Sequence, residues 1–205
     1  IFGFCLALLA FGASPNLYAF EQPAIASGVA QKPLVTAKKH MVVAANPLAA
    51  EAGLAILRKG GSAIDAAIAT QMVLNLVEPQ SSGIGGGAFL LYWDRAAKTL
   101  TSIDGRETAP AAATPNLFLD KDGKPLPREQ AMESGLSIGT PGVLAAIALA
   151  HEKHGKLPWA DLFQPAIRLA RDGFAISPRL AKLLAEEKPE SFAPGARAYF
   201  FDAQG

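Results

Sequence analysis

The sequence predicts an α+β protein in which helices flank a pair of consecutive strands, an αββα-type layering rather than an alternating βαβ chain. Three observations carry this. Ile64, Ile68, Met72 and Leu76 recur every fourth residue and mark a helix over 63–77. Ala88 to Trp93 and residues 98–103 are apolar, strand-like runs joined by Asp94-Arg95, a hairpin arrangement. Further helical stretches follow at 142–154, near 159–171 and from Ser177-Pro178 to about Glu187. The composition agrees with a packed fold. Of 205 residues 50% are hydrophobic and 18% charged, with formal net charge +1, which excludes disorder as the bulk state. The same balance removes any chain-wide attraction to nucleic acid, and no basic run is interleaved with aromatics. With one cysteine, neither an intramolecular disulfide nor an all-cysteine metal cluster can form.

In chain order, residues 1–13 are apolar but too few to span a bilayer, which takes about 20. Ser14-Pro15-Asn16 breaks the run and Ala19 is a small residue at a cleavage-like point. Residues 1–19 therefore read as a secretory signal lacking its basic start, the alternative being a buried N-terminal helix. Such a leader implies a secreted or periplasmic protein. Residues 20–40 read as an extended lead-in, and Met41 to Ala45 as a short buried strand closed by Asn46-Pro47. A helix over 47–59 would bury Ala50, Leu54 and Leu57 and stop at Gly60-Gly61. Ser62 with Asp65 three residues later forms a capping-box variant for helix 63–77, and Glu78-Pro79 ends it. Residues 104–139 read as loops and short pieces, and Tyr199-Phe200-Phe201 as a strand entering a turn. The sequence stops without a terminating tail and reads as an N-terminal piece of something longer.

Several motifs fit by spelling and fail by context. Gly83 to Ala88 spells G-x-G-x-x-A, but a dinucleotide loop needs strand, loop, helix, and here the order is helix, loop, strand. The glycines fit a tight backbone loop, or a loop lining a site. Gly135 to Gly139 spells G-x-S-x-G, but the polar segment before Ser137 is no buried strand, as a nucleophile elbow requires. His151 and His154 stand three apart, Gly155 occupies the position a zincin gives its second histidine, and no third ligand is apparent. No metal site and no Walker loop is expected.

Asp104-Gly105-Arg106-Glu107-Thr108-Ala109-Pro110 differs in kind. It leaves a strand end with a guanidinium beside a glycine. A guanidinium fork can clamp a carboxylate through two parallel charge-assisted bonds. The alternative is a local ion pair from Arg106 to Glu107 or Asp104.

Taken together, Met41 to Ala44, Leu57 to Ala67, Gly85 to Phe89, Asp104 to Pro110, Gly139 to Gly142 and Pro165 to Phe174 resemble the N-terminal part of the γ-glutamyltransferase (γ-glutamyltranspeptidase) family, in that family's order. The resemblance implies a partial αββα sandwich of the N-terminal-nucleophile hydrolase type, incomplete in this chain, with 41–205 as part of a large subunit. It implies a precursor that cuts itself in two, and transfer or hydrolysis of γ-glutamyl groups of a donor such as glutathione, without a cofactor. The partner would be the remainder of the same precursor. The nucleophile would be a threonine downstream, activated by its own α-amine. No catalytic residue is expected here, and Thr101, Thr108 and Thr140 are not candidates. Arg106 takes the motif position that binds the donor's α-carboxylate, and Glu107 would support it. A cephalosporin-type or other γ-glutamyl acylase, and a non-catalytic exported domain binding an acidic ligand, are the competing readings.

Overall fold

The computed structural model describes residues 33–204, so the leader reading of 1–19 and the first part of the lead-in lie outside the described residues. In chain order the elements are α1 (Pro47–Arg58), α2 (Ala63–Val77), β1 (Ala88–Asp94), β2 (Thr99–Gly105), α3 (Arg128–Glu133), α4 (Val143–His154), α5 (Trp159–Leu162), α6 (Gln164–Asp172), α7 (Pro178–Glu186) and α8 (Pro194–Phe200).

Local chemistry sets the first helices. Asn46 caps α1 by accepting from Leu48 N at 3.0 Å, and Pro47 follows at the first turn, where its missing N–H costs nothing. Gly60, at φ +92°, turns the chain out of α1 in a conformation a side chain would resist. Ser62 and Asp65 form the reciprocal capping box of α2: Ser62 Oγ accepts from Asp65 N at 3.1 Å, and Asp65 Oδ2 from Ser62 N at 2.8 Å. The face α1 turns inward is not the expected leucine stripe. Ala49, Ala52, Gly53 and Ile56 are buried, whereas Ala50, Leu54 and Leu57 are only half-buried. Small residues let the helices approach: a Cβ on Gly53 would collide with Thr70 Oγ1 of α2. The leucines straddle the contact.

β1 and β2 pair antiparallel in register from Ala88 opposite Gly105 to Asp94 opposite Thr99. Asp94 Oδ1 accepts from Ala96 N and Ala97 N and closes the turn, with Lys98 at φ +54°. Alternation gives the hairpin two unlike faces. Leu90, Tyr92 and Ile103 meet the core built by Ile64, Ile68 and Met72 of α2 and Val143, Ala146, Ile147 and Ala150 of α4. Phe89, Leu91, Trp93 and Leu100 face solvent.

Three further expectations are corrected. Residues 41–45 run without strand pairing among the described residues, and Met41 and Val43 are exposed, because an extended segment without a ladder neighbour is not a strand. The helix near 159–171 breaks at Phe163 into α5 and α6, where Pro165 has no N–H for an i→i−4 bond. Residues 199–201 are not a strand: Pro194 opens α8, which runs to Phe200, and Phe192 packs against Phe200 and Phe201. No helix of the described residues is long and apolar enough to cross a membrane.

Candidate functional site

The site grows from the end of β2. Asp104 Oδ1 accepts from Arg106 N at 2.9 Å, an Asx turn that swings the chain away from the ladder after Gly105. Asp104 thus engages the Arg106 backbone. The Arg106 side chain remains 68% exposed, with Nε 3.3 Å from Glu107 Oε2. Thr108 and Thr140 exchange backbone hydrogen bonds of 3.4 and 2.8 Å, which fastens the Arg106 loop to the segment entering α4.

Glu107 is held by glycines. A Cβ at Gly86 would lie 3.2 Å from Glu107 Oε1, one at Gly87 2.7 Å from Oε2, and one at Gly139 2.9 Å from the Glu107 Cβ. The glycine loop is therefore a cradle: its missing side chains are the space the carboxylate occupies. Glu107 Oε2 is shut off from solvent and accepts no hydrogen bond, a costly state for a carboxylate oxygen unless a cation stands near, and Arg106 is that cation. The cradle is fixed at both ends. Ser82 Oγ donates to Asn75 Oδ1 and accepts from Gln71 Nε2, tying the loop to α2. Gly86 O accepts from Gly142 N and Val143 N, both at 3.2 Å, satisfying the start of α4, which has no side-chain cap.

Gly87→Ala would drive a methyl onto Gly105 O at 2.6 Å and Glu107 N at 2.7 Å, while Gly85 meets nothing within 4 Å. Urea unfolding is expected to show a loss of about 1–3 kcal/mol for Gly87→Ala and little change for Gly85→Ala.

Arg106 and Glu107 line a cavity of about 480 Å³ with Gly85, Thr108, Ser137 and Gly139. Ser137 and the two histidines make contacts of their own. Ser137 lies in a 3₁₀ turn and gives its hydroxyl to Met132 O and Ser134 O, both at 3.0 Å. His151 Nε2 bonds Leu157 O at 2.9 Å, and His154 stacks on Tyr92 with ring centroids 4.2 Å apart.

Two buried acids had no such reading in the sequence. Asp65, fully buried, accepts not only from Ser62 N but from Lys156 N at 3.0 Å and Leu157 N at 3.1 Å. It joins α2 to the turn after α4. Glu78 receives Asn46 Nδ2 at 3.1 Å, Gln80 Nε2 at 2.6 Å and Arg179 Nη1 at 3.4 Å. It holds the entry of α1, the exit of α2 and α7 together. Only the capping-box spacing of Asp65 was visible in advance.

The family model described as Gamma-glutamyltranspeptidase matches residues 49–205. The chain is 51% identical over 154 residues to Scoloptoxin SSD14 of Scolopendra dehaani, covering 75% of this chain and 26% of that protein. It is 43% identical over 163 residues to the glutathione hydrolase proenzyme of Bacillus subtilis (strain 168), covering 80% and 28%. The crystal structure of Helicobacter pylori gamma-glutamyltranspeptidase superposes with TM-score 0.77 at 38% identity, over 83% of this chain and 49% of that one. The chain spans about a quarter of the length of these curated relatives. Its helices and two-stranded sheet are an incomplete part of the αββα architecture of N-terminal-nucleophile hydrolases. With its ordered motifs, its glycine cradle and the matching fold, the chain belongs to the gamma-glutamyltranspeptidase family.

Proposed function

We propose that this chain is the N-terminal part of a γ-glutamyltransferase/glutathione hydrolase precursor, and that Arg106 binds the α-carboxylate of a γ-glutamyl donor such as glutathione. One observation carries the reading: in a chain of this family, Arg106 lines a cavity beside a carboxylate wedged into glycines. The Asx turn at Asp104 fixes its backbone. Glu107 supports it, offering a fixed negative charge that keeps the fork from collapsing onto other acids.

The chemistry follows from that anchorage. A threonine at the start of a second chain, released by self-cleavage, adds its hydroxyl oxygen to the γ-amide carbon while its α-amine takes the proton. The tetrahedral intermediate expels the amine with a proton returned. Water or an amino acid then takes the γ-glutamyl group from the ester. Arg106 contributes by position, holding the donor's far end so that the γ-carbon is presented in one place.

In this reading residues 1–19 are a secretory signal, 20–40 a lead-in and 41–205 part of the large subunit, and the protein is secreted or periplasmic. The apolar hairpin face of Phe89, Leu91, Trp93 and Leu100 is the surface that the remainder of the precursor covers, as an uncovered face of that kind invites aggregation. Trp93→Glu in the natural gene product is expected to send the protein into the insoluble fraction. If this face stays in water, solubility will be unchanged.

The functional test compares γ-glutamyl-p-nitroanilide with α-glutamyl-p-nitroanilide on the natural protein. Release of p-nitroaniline from the γ-isomer alone is expected. Release from neither, in folded protein, would end the enzymatic reading in favour of a binding domain.

A further inference from the structure

The start of the glycine cradle is gripped by a closed ring of three side chains. Gln71 and Asn75 stand one turn apart on one face of α2. Gln71 Nε2 donates to Asn75 Oδ1 at 2.9 Å and to Ser82 Oγ at 2.7 Å, and Ser82 Oγ donates to Asn75 Oδ1 at 3.0 Å. Donors and acceptors balance: the amide nitrogen gives two bonds, the carbonyl oxygen takes two, and the hydroxyl gives one and takes one. Side-chain hydrogen bonds run mostly to backbone or water, so a ring closed among side chains fixes one arrangement of the two segments that carry them.

The ring sits where the chain has most freedom to lose. From Ser82 to Gly87, four of six residues are glycine, and glycine gives up more backbone freedom on ordering than any other residue. The near end of this stretch is fixed by Ser82, the far end by Gly86 O, which accepts from Gly142 N and Val143 N. What the stretch touches is the site. A Cβ at Gly87 would stand 2.7 Å from both Glu107 N and Glu107 Oε2, so the loop closes directly on that residue. Glu107 Oε2 in turn is 3.3 Å from Arg106 Nε. We propose that Gln71, Asn75 and Ser82 are positioning residues of the Arg106 site: their ring sets where the glycine loop lies, and the loop sets where Glu107 holds the guanidinium. The inference rests on the γ-glutamyl reading of Arg106. None of the three lines the Arg106 cavity, so they act through Arg106 rather than on the donor. A misplaced fork meets the donor's carboxylate poorly in ground state and transition state alike, which places the loss on KM. Misplacement by about 1 Å can cost about a hundredfold, and a loosened loop costs part of that.

The test is a double-mutant cycle on the complete natural gene product with γ-glutamyl-p-nitroanilide. Ser82→Ala is expected to lower kcat/KM roughly five- to twentyfold, through KM, with kcat within about twofold. Ser82→Thr keeps the hydroxyl and should recover most of the loss. In an Arg106→Ala background, Ser82→Ala should cost less than about twofold more, because the residue through which it acts is gone. Asn75→Ala removes the acceptor that Gln71 and Ser82 share and should behave as Ser82→Ala does. Alanine favours the helix, so this variant keeps the test decisive if Ser82→Ala is not recovered folded. No loss in either variant, or equal loss with and without Arg106, overturns the positioning role; the second result would mark a purely structural tie. If the parent releases no p-nitroaniline, or Arg106→Ala alone changes nothing, the γ-glutamyl reading itself has failed, a result separable from failure of the ring.

Discussion

Replacing Arg106 with alanine in the natural gene product should reduce kcat/KM for γ-glutamyl donors by about 2–4 kcal/mol, the cost of removing one partner of a charge pair that the bound donor desolvates. That is about 30- to 900-fold. The loss should fall chiefly on KM, because an arginine in the proposed role would hold the donor's carboxylate in ground state and transition state alike. Arg106→Lys should recover only part of it, since lysine keeps the charge and loses the planar fork. The Arg106 side chain is 68% exposed in this chain, so no core packing depends on it; Arg106→Lys should match the parent in thermal stability, while Arg106→Ala, which leaves the enclosed Glu107 Oε2 without its cation, should lower it modestly. An unchanged kcat/KM would reduce Arg106 to the local partner of Glu107.

The second large effect belongs to a residue with no part in the chemistry. Asp65→Ala strands Ser62 N, Lys156 N and Leu157 N, three backbone donors that converge on one fully buried carboxylate. A buried donor left without an acceptor costs about 1–3 kcal/mol, and water entering the space left behind recovers part of it. The expected loss is about 3–5 kcal/mol, read as a lower urea midpoint with unchanged slope. Asp65→Asn should fall between, because its amide oxygen still accepts while its NH2 confronts the same donors. His151 Nε2, 3.7 Å from Asp65 Oδ1, loses its neighbour as well. A loss below about 1 kcal/mol for Asp65→Ala would mean that the turn at Lys156 and Leu157 is held by something else.

How much of this was legible in the sequence depends on how local the cause is. The capping box at Ser62 and Asp65, helix 63–77 and the hairpin at 88–105 are written in neighbours three or four residues apart or in alternation, and the reading of each matches the structure. The buried face of α1 was misplaced because periodicity favours large apolar residues, while the close crossing at Gly53 and Thr70 selects small ones. Met41 to Ala45 reads as a strand by composition but has no ladder neighbour among the described residues. Tyr199-Phe200-Phe201 reads as a strand until Pro194, five residues upstream of Tyr199, starts a helix through it.

The site divides the same way. The place of Arg106 at the end of β2 and its ion pair with Glu107 were legible from neighbouring residues, while the role proposed for it came only from the resemblance. The Glu107 cradle was not, since Gly86, Gly87 and Gly139 reach it only through the fold. The tie from Asp65 to Lys156, 91 residues away, leaves no trace in spacing.

We have proposed that this chain is one portion of a self-cleaving γ-glutamyl enzyme. This is tested most directly on the natural protein, isolated from its source, by intact mass and N-terminal sequencing of every chain recovered. Two chains are expected, the first containing Arg106 and the second beginning with threonine. A single uncut chain ending near Gly205 would contradict it: the nucleophile would be absent, and Arg106 would belong to a domain that binds an acidic ligand without transforming it.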